Sequence, residues 1–316
     1  MSSPAITSSL IPEVDVAVPP LKSRRRKSLR KLLTGLAFIS PWIVGTLAFQ
    51  VYPFFASLYY SFRDTTLLSP GEFVGLDNYR ELINDALFWT SLKNTVYYTL
   101  ASVAIGTVCA IGLALLLNQR LTGQTVYRTI FYMPSIVPLV AVSVIWIYLL
   151  HPTYGLLNFV LEKVGLPTLG WFSDPTWAMP GLIIVGLWGL GNAMIIYLAG
   201  LQDIPTELYE AAALDGASAW RRLLHVTIPL LTPVILFNSI IGLIHGFQYF
   251  VEPYVITQGG PADSTMTYGL YLYSNAFDYF KMGYASAMAW ILFVIIMVVT
   301  LVVMRSSSRW VFYQGR

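Results

Sequence analysis

Apolar and polar positions do not alternate along this chain; they segregate into long apolar runs joined by short polar connections. An α-helix needs about 20 apolar residues to cross a hydrocarbon core of roughly 30 Å. Six runs meet that length, at 34–58, 94–117, 129–150, 177–199, 231–256 and 284–304. Pro41, Pro53, Pro134, Pro138, Gly186, Gly189 and Gly191 fall inside them. Neighbouring helices can satisfy the backbone groups such residues free, so they predict kinks and close helix contacts. One connection stands apart. Between the fourth and fifth runs, "ELYEAAALDGASAWRRLLHVTIPLL" (207–231) is charged, alanine-rich and punctuated by glycine. Pro205 suits the first turn of a short helix, and Glu207 and Glu210 suit its positive N-terminal end. Gly216 suits a left-handed stop, after which Ser218 can cap a second short helix running to Pro229.

Composition agrees with an all-α integral membrane protein of six transmembrane helices. Of 316 residues 56% are hydrophobic and 11% charged, against about 25% charged in soluble domains. The net charge of +3 matters through its distribution. Six spans place both termini on one side, and fourteen of the nineteen Lys and Arg residues lie on that side, seven of them between Lys22 and Lys31. The positive-inside bias therefore predicts that both termini are cytosolic. Residues 1–31, Ser/Pro-rich and then basic, read as a disordered cytosolic tail ahead of a six-helix transmembrane domain at 32–316. The first span is too long and too far from the start for a cleavable signal peptide and reads as an uncleaved anchor. The basic cluster marks orientation and can also meet anionic lipid. Cys109 is the sole cysteine, and His151, His225 and His245 are dispersed. No metal or cofactor site and no nucleic-acid partner are expected.

Polar groups inside a membrane are costly and usually have a purpose. In the fifth run Asn238, His245, Gln248, Tyr249 and Glu252 fall mostly along one helical face, and in the fourth Trp188 and Asn192 are four apart and adjacent. Aromatic faces with neutral amides suit a sugar, by stacking on C–H faces and hydrogen bonding to hydroxyls. The alternative is interhelical glue, worth about 0.6 kcal/mol per group on average. No Lys or Arg lies in any span, which favours a neutral solute over an anionic one.

The connection at 207–231 carries a further pattern. Glu210, Ala211 and Ala212 are followed by Asp215, Gly216 and then Val226, Thr227, Ile228 and Pro229. "EAA" alone occurs by chance, and a cytosolic loop can form an amphipathic helix on lipid for no further reason. The fuller spacing resembles the EAA signature of permease subunits of binding-protein-dependent ABC importers. "FVGLDNYREL" (73–82), "FWTSLKNTVYYT" (88–99), "LALLLNQRLTGQTVYRTIFYMPSIVP" (113–138), "YLAGLQDIPTELYEAAALDGAS" (197–218), "TQGGP" (257–261) and "GYASA" (283–287) extend the resemblance from the first span onward. All are similar to the sugar-importing branch of maltose, lactose and trehalose type, and to its first permease.

That resemblance implies a type I importer permease fold in which Glu210, Ala211, Ala212, Asp215, Gly216 and Pro229 belong to a coupling segment. It also implies a second homologous permease, two copies of a cytosolic ATPase that binds ATP and Mg²⁺, and an extracytoplasmic sugar-binding protein. The chain is not expected to be an enzyme, since a P-loop needs Gly-Lys and no such pair occurs. Relatives often carry an aspartate directly after the phenylalanine at position 250; here Val251 stands there and the acid is Glu252. On a continuous helix that shift turns the acid about 100°, so Glu252 is expected to face the outer solvent. Two alternatives remain: an ion-coupled secondary transporter, which wants a midplane carboxylate, and an importer permease for a phosphorylated solute such as glycerol phosphate.

Overall fold

The computed structural model describes residues 21–312, except Leu67, Pro70, Arg120 and Leu121, and the side chains from Lys31 onward. The chain divides into two compact units between Ser57 and Leu58. In the first, α1 (Leu21–Thr46) runs through a π-turn at Leu47–Val51 into α2 (Tyr52–Ser61). Residues 1–20 of the expected tail lie outside the described residues, and from Leu21 the expectation of disorder is replaced by helix. The physical reason is local: Lys, Arg and Leu are good helix formers, and neither Pro nor Gly intervenes between Leu21 and Thr34. Beyond Lys31 the helix is apolar on all sides, as in a membrane span.

The second unit contains α3 (Asp77–Asn84), α4 (Ala86–Leu117), α5 (Gln124–Tyr132), α6 (Leu139–Leu149), α7 (Leu156–Lys163), α8 (Pro175–Trp188) and α9 (Gly191–Gln202). These are followed by α10 (Thr206–Leu214), α11 (Ala219–Arg222), α12 (Ile228–Phe247), α13 (Tyr268–Tyr273) and α14 (Met282–Ser307). Among the described residues four helical stretches are individually long and apolar enough to cross a membrane: Lys31–Ser61, Ala86–Leu117, Ala219–Phe247 and Met282–Ser307. Two bent pairs, one over 124–149 and one over 175–202, bring the number to six if each is one span.

The bends have chemical causes. The chain turns by 100° between Ile136 and Leu139, where Val137 is held extended by the following Pro138. The 52° bend between α8 and α9 falls at Gly189 to Gly191. A Cβ at Gly191 would lie 2.8 Å from Tyr132 Cα, so only glycine lets α5 cross the bend this closely. The fifth run, expected as one helix over 231–256, is instead broken: α12 stops at Phe247, and a short helical segment resumes at 251. Pro253 explains the break, because it lacks the N–H that would bond to Tyr249 four residues back, and its ring would clash with that carbonyl. The Tyr249 carbonyl accepts the Thr267 hydroxyl instead, at 3.0 Å.

Packing centres on α4, which lies against α9 and α12. At Gly246 of α12 a Cβ would sit 2.7 Å from Thr99 Cγ2, so the absence of a side chain sets the approach of the two helices. One apolar cluster joins Ala114, Tyr197, Leu201 and Leu231. Another gathers Leu82, Phe88, Tyr268 and Met288. Beside the second, Asp85 caps α4 by accepting from the Leu87 amide and receives the hydroxyls of Tyr271 and Tyr284, the latter at 2.6 Å. Burial pushes this carboxyl up, but the hydrogen bonds from Tyr271, Tyr284 and the amides of Leu87 and Phe88 outweigh it and hold Asp85 below its usual range. Burial, with the bond to Asp85, pushes the Tyr271 phenol up to about 12.

Candidate functional site

The breaks in α8/α9 and after α12 leave backbone and side chains around a cavity of about 460 Å³. Asn238, His245, Gln248, Tyr249 and Glu252 all line it, together with Tyr98 and Ser102 of α4 and Tyr197 of α9. Trp188 and Asn192 line a second cavity of about 190 Å³. The two cavities share Leu139, Gly186 and Glu252. All seven polar and aromatic positions expected from the sequence are therefore gathered, in two adjoining spaces rather than one stripe.

Glu252 corrects the sequence expectation. It is 7% exposed and lines both cavities, so it does not face the outer solvent. The 100° argument assumed a continuous helix, and the chain leaves the helix between Phe247 and Val251. Among the described residues Glu252 forms no ion pair. Neither cavity has a Lys or Arg in its lining.

Side-chain bonding bears on the alternative of interhelical glue. Asn238 donates to the Val234 carbonyl of its own helix at 3.0 Å, which leaves its amide oxygen available to the cavity. The Tyr249 ring stacks on Tyr98 with centroids 3.7 Å apart and planes at 11°. The buried hydroxyls of Tyr249 and Tyr197, both in the cavity wall, have no partner of normal hydrogen-bond geometry. Trp188 meets Trp146 edge to face at 6.2 Å. Gly186 makes room for Tyr98, whose hydroxyl would lie 2.7 Å from a Cβ there. Tyr98, Ser102 and Tyr197 were missed by the sequence reading. The three- and four-residue spacing of polar groups in "YYTLAS" (97–102) was the available signal.

The segment between α9 and α12 is built differently. Thr206 opens α10 with Pro205 just before it, one position earlier than expected. Gly216 has φ +74°, and the Ala217 amide reaches back to the Ala212 carbonyl at 2.9 Å, closing the helix in a Schellman arrangement. The Ser218 hydroxyl caps α11 by accepting from the Arg221 amide. Glu210, Ala211, Asp215 and Gly216 are exposed, Ala212 is half-buried, and Leu214 and Trp220 are 90% and 66% exposed. Pro229 lies in the first turn of α12, after a π-turn at Leu223–Thr227. Two anchors tie this projection to the bundle: Ile204 belongs to the Leu201–Leu231 cluster, and Tyr209 packs on it while its hydroxyl meets Thr227 Oγ1 at 3.0 Å. Tyr209 had not been singled out, because nothing local distinguishes it from an exposed aromatic.

Comparison with known proteins bears on the whole arrangement. Residues 82–312 match the family described as binding-protein-dependent transport system inner membrane component. The probable ABC transporter permease protein YesP of Bacillus subtilis is 42% identical over 299 residues, covering 93% of this chain and 96% of that protein. The trehalose/maltose transport system permease protein MalF of Thermococcus litoralis is 34% identical over 280 residues, with 87% and 94% covered. A crystal structure of a bacterial ABC transporter that imports the acidic polysaccharide alginate contains a chain with a TM-score of 0.78 at 25% identity, covering 90% of this chain and 99% of that one. The bent pairs, the broken fifth span and the projecting segment are thus features of a chain that belongs to the inner membrane components of binding-protein-dependent transport systems, the permease subunits of ABC importers.

Proposed function

We propose that this chain is the permease subunit through which an ATP-driven importer moves a neutral sugar or oligosaccharide into the cytosol by alternating access. The observation that carries the reading is the 460 Å³ cavity, within the usual size range of ligand pockets, walled by Tyr98, Tyr249, Asn238 and Gln248 and lacking any Lys or Arg. Names of relatives support a sugar or oligosaccharide: trehalose/maltose, lactose and arabinooligosaccharides appear among them. Because sulfoquinovosyl glycerol, which bears a sulfonate, appears too, neutrality rests on the cavity wall. In this reading the exposed α10 seats on a cytosolic ATPase. Two copies of that subunit bind ATP and Mg²⁺, a second homologous permease completes the channel, and an extracytoplasmic binding protein delivers the sugar. A crystal structure of the alginate transporter with its periplasmic protein supports that last partner. Both termini are cytosolic, which puts α10 on the ATPase side.

Closure of the ATPase pair would push on α10, and Tyr209 and Ile204 would pass the displacement to α9 and α12, which border the cavity. Rigid-body rocking of this kind changes the side to which the cavity opens. The test is ATP-dependent uptake of a neutral oligosaccharide by the reconstituted complex, with Glu210→Lys and Gly216→Pro as variants. Loss of ATPase co-purification and uptake, with the chain still in the membrane, is expected. Normal ATPase yield and normal uptake in both variants would overturn the coupling role.

A further inference from the structure

We propose that Glu252 sets the charge selectivity of the cavity, admitting neutral saccharides and turning away those that carry carboxylate, sulfonate or phosphate groups. This rests on the cavity being the solute path. The fold does not decide charge preference, since a chain of the same fold serves an importer of an acidic polysaccharide. The deciding groups must be local to the cavity wall.

Three observations single out Glu252. It is one of three residues common to both cavities, and the other two, Leu139 and Gly186, offer no side-chain polar atom. A solute passing between the two spaces therefore meets one functional group at the junction. Next, Glu252 is nearly fully enclosed yet forms no ion pair among the described residues, so its carboxyl is not committed to a structural partner. Finally, the remaining polar wall is amide, hydroxyl and the single imidazole of His245. An anionic group entering there would leave water, meet an acid, and find no Lys or Arg in the wall to replace its hydration. Repulsion between like charges is several times stronger in such a setting than in bulk water. Neutral hydroxyls fare differently, because they donate to a carboxylate in short, charge-assisted bonds. One group thus grips one class and rejects the other.

The test uses the purified complex of this chain with its partner permease and ATPase, without the binding protein, whose own selectivity would otherwise intervene. Affinities are measured for a neutral disaccharide and its uronic acid counterpart, which differ only in –CH2OH against –COO⁻. The wild-type complex should prefer the neutral member by on the order of tenfold or more. Glu252→Gln should bring the ratio toward one, Glu252→Asp should keep it, and Gln248→Glu, which adds a second acid and leaves Glu252 in place, should widen it. An unchanged ratio in Glu252→Gln, or no widening in Gln248→Glu, while neutral sugar still binds, overturns the assignment to Glu252 alone. If the wild-type complex binds neither sugar, the cavity reading itself fails and this inference with it.

Discussion

The cavity and the projecting segment show two ways of building a functional region. The cavity wall is drawn from α4, α8, α9, α12 and the break after α12, and its shape depends on how closely those helices approach. The projection is a single stretch, 205–227, whose form depends on its own caps and on two anchoring side chains. A perturbation of the first propagates through packing, because interiors tolerate little added volume. A perturbation of the second stays local unless it touches an anchor. The projection can therefore be exposed and determined by its own residues while the cavity is determined by how its helices pack.

Substitutions can sharpen this contrast. The largest effect is expected at Gly246, where any Cβ meets Thr99 at 2.7 Å and a β-branched side chain cannot swing away. Gly246→Ala should destabilise the bundle by about 1–3 kcal/mol, read as a lower unfolding temperature and reduced yield of assembled complex. If stability is unchanged, α4 and α12 are not held at the spacing described.

A smaller, more selective effect belongs to the anchor. Tyr209→Phe removes the hydroxyl that meets Thr227, at a cost of about 0.5–1.5 kcal/mol. The ATPase should still co-purify while sugar moved per ATP hydrolysed falls severalfold. Equal loss of ATPase docking would show that Tyr209 shapes the docking face and is not a link to the bundle.

The smallest effect is expected at Asp85 under ordinary conditions. Its carboxyl is held below the usual range in the folded chain, so it contributes stability above its unfolded value of about 3.9 and loses it as pH falls through the lower folded value. Thermal stability should be flat around neutrality and decline only below about pH 4, and Asp85→Asn should remove that acid-side dependence. Tyr271, pushed up to about 12, keeps its proton throughout this window. An unaltered acid limb in Asp85→Asn would assign it to other groups.

These regions also differ in how much of them could be read beforehand. Pro205, Gly216 and Ser218 act within a few residues, so α10, its stop and the cap of α11 were legible in the sequence. The second short helix, expected to end at Pro229, instead continues through a π-turn into α12 as one stretch, Ala219–Phe247, since a local π adjustment lets a helix pass a proline. The positions of Asn238, His245, Gln248 and Tyr249 were legible as polar intrusions in an apolar run. Glu252 was misplaced because helical periodicity was extended through 248–250, where the chain leaves the helix ahead of Pro253 and the Tyr249 carbonyl accepts from the distant Thr267 hydroxyl. Tyr98 and Tyr197 escaped because their roles come from neighbours distant in sequence, Tyr249 for one and the cavity edge for the other.

The central claim is that the cavity is the path of a neutral sugar, and uptake per assembled complex tests it most directly. Asn238→Leu and Gln248→Leu keep the spans apolar and remove cavity groups that hold no other helix among the described residues. Each lost hydrogen bond to a solute hydroxyl is worth about 0.5–1.5 kcal/mol. Uptake per complex should fall severalfold in each variant, with yield, thermal stability and basal ATP hydrolysis retained. Full uptake per complex in both, or normal uptake by a complex that is merely less stable, would contradict the account.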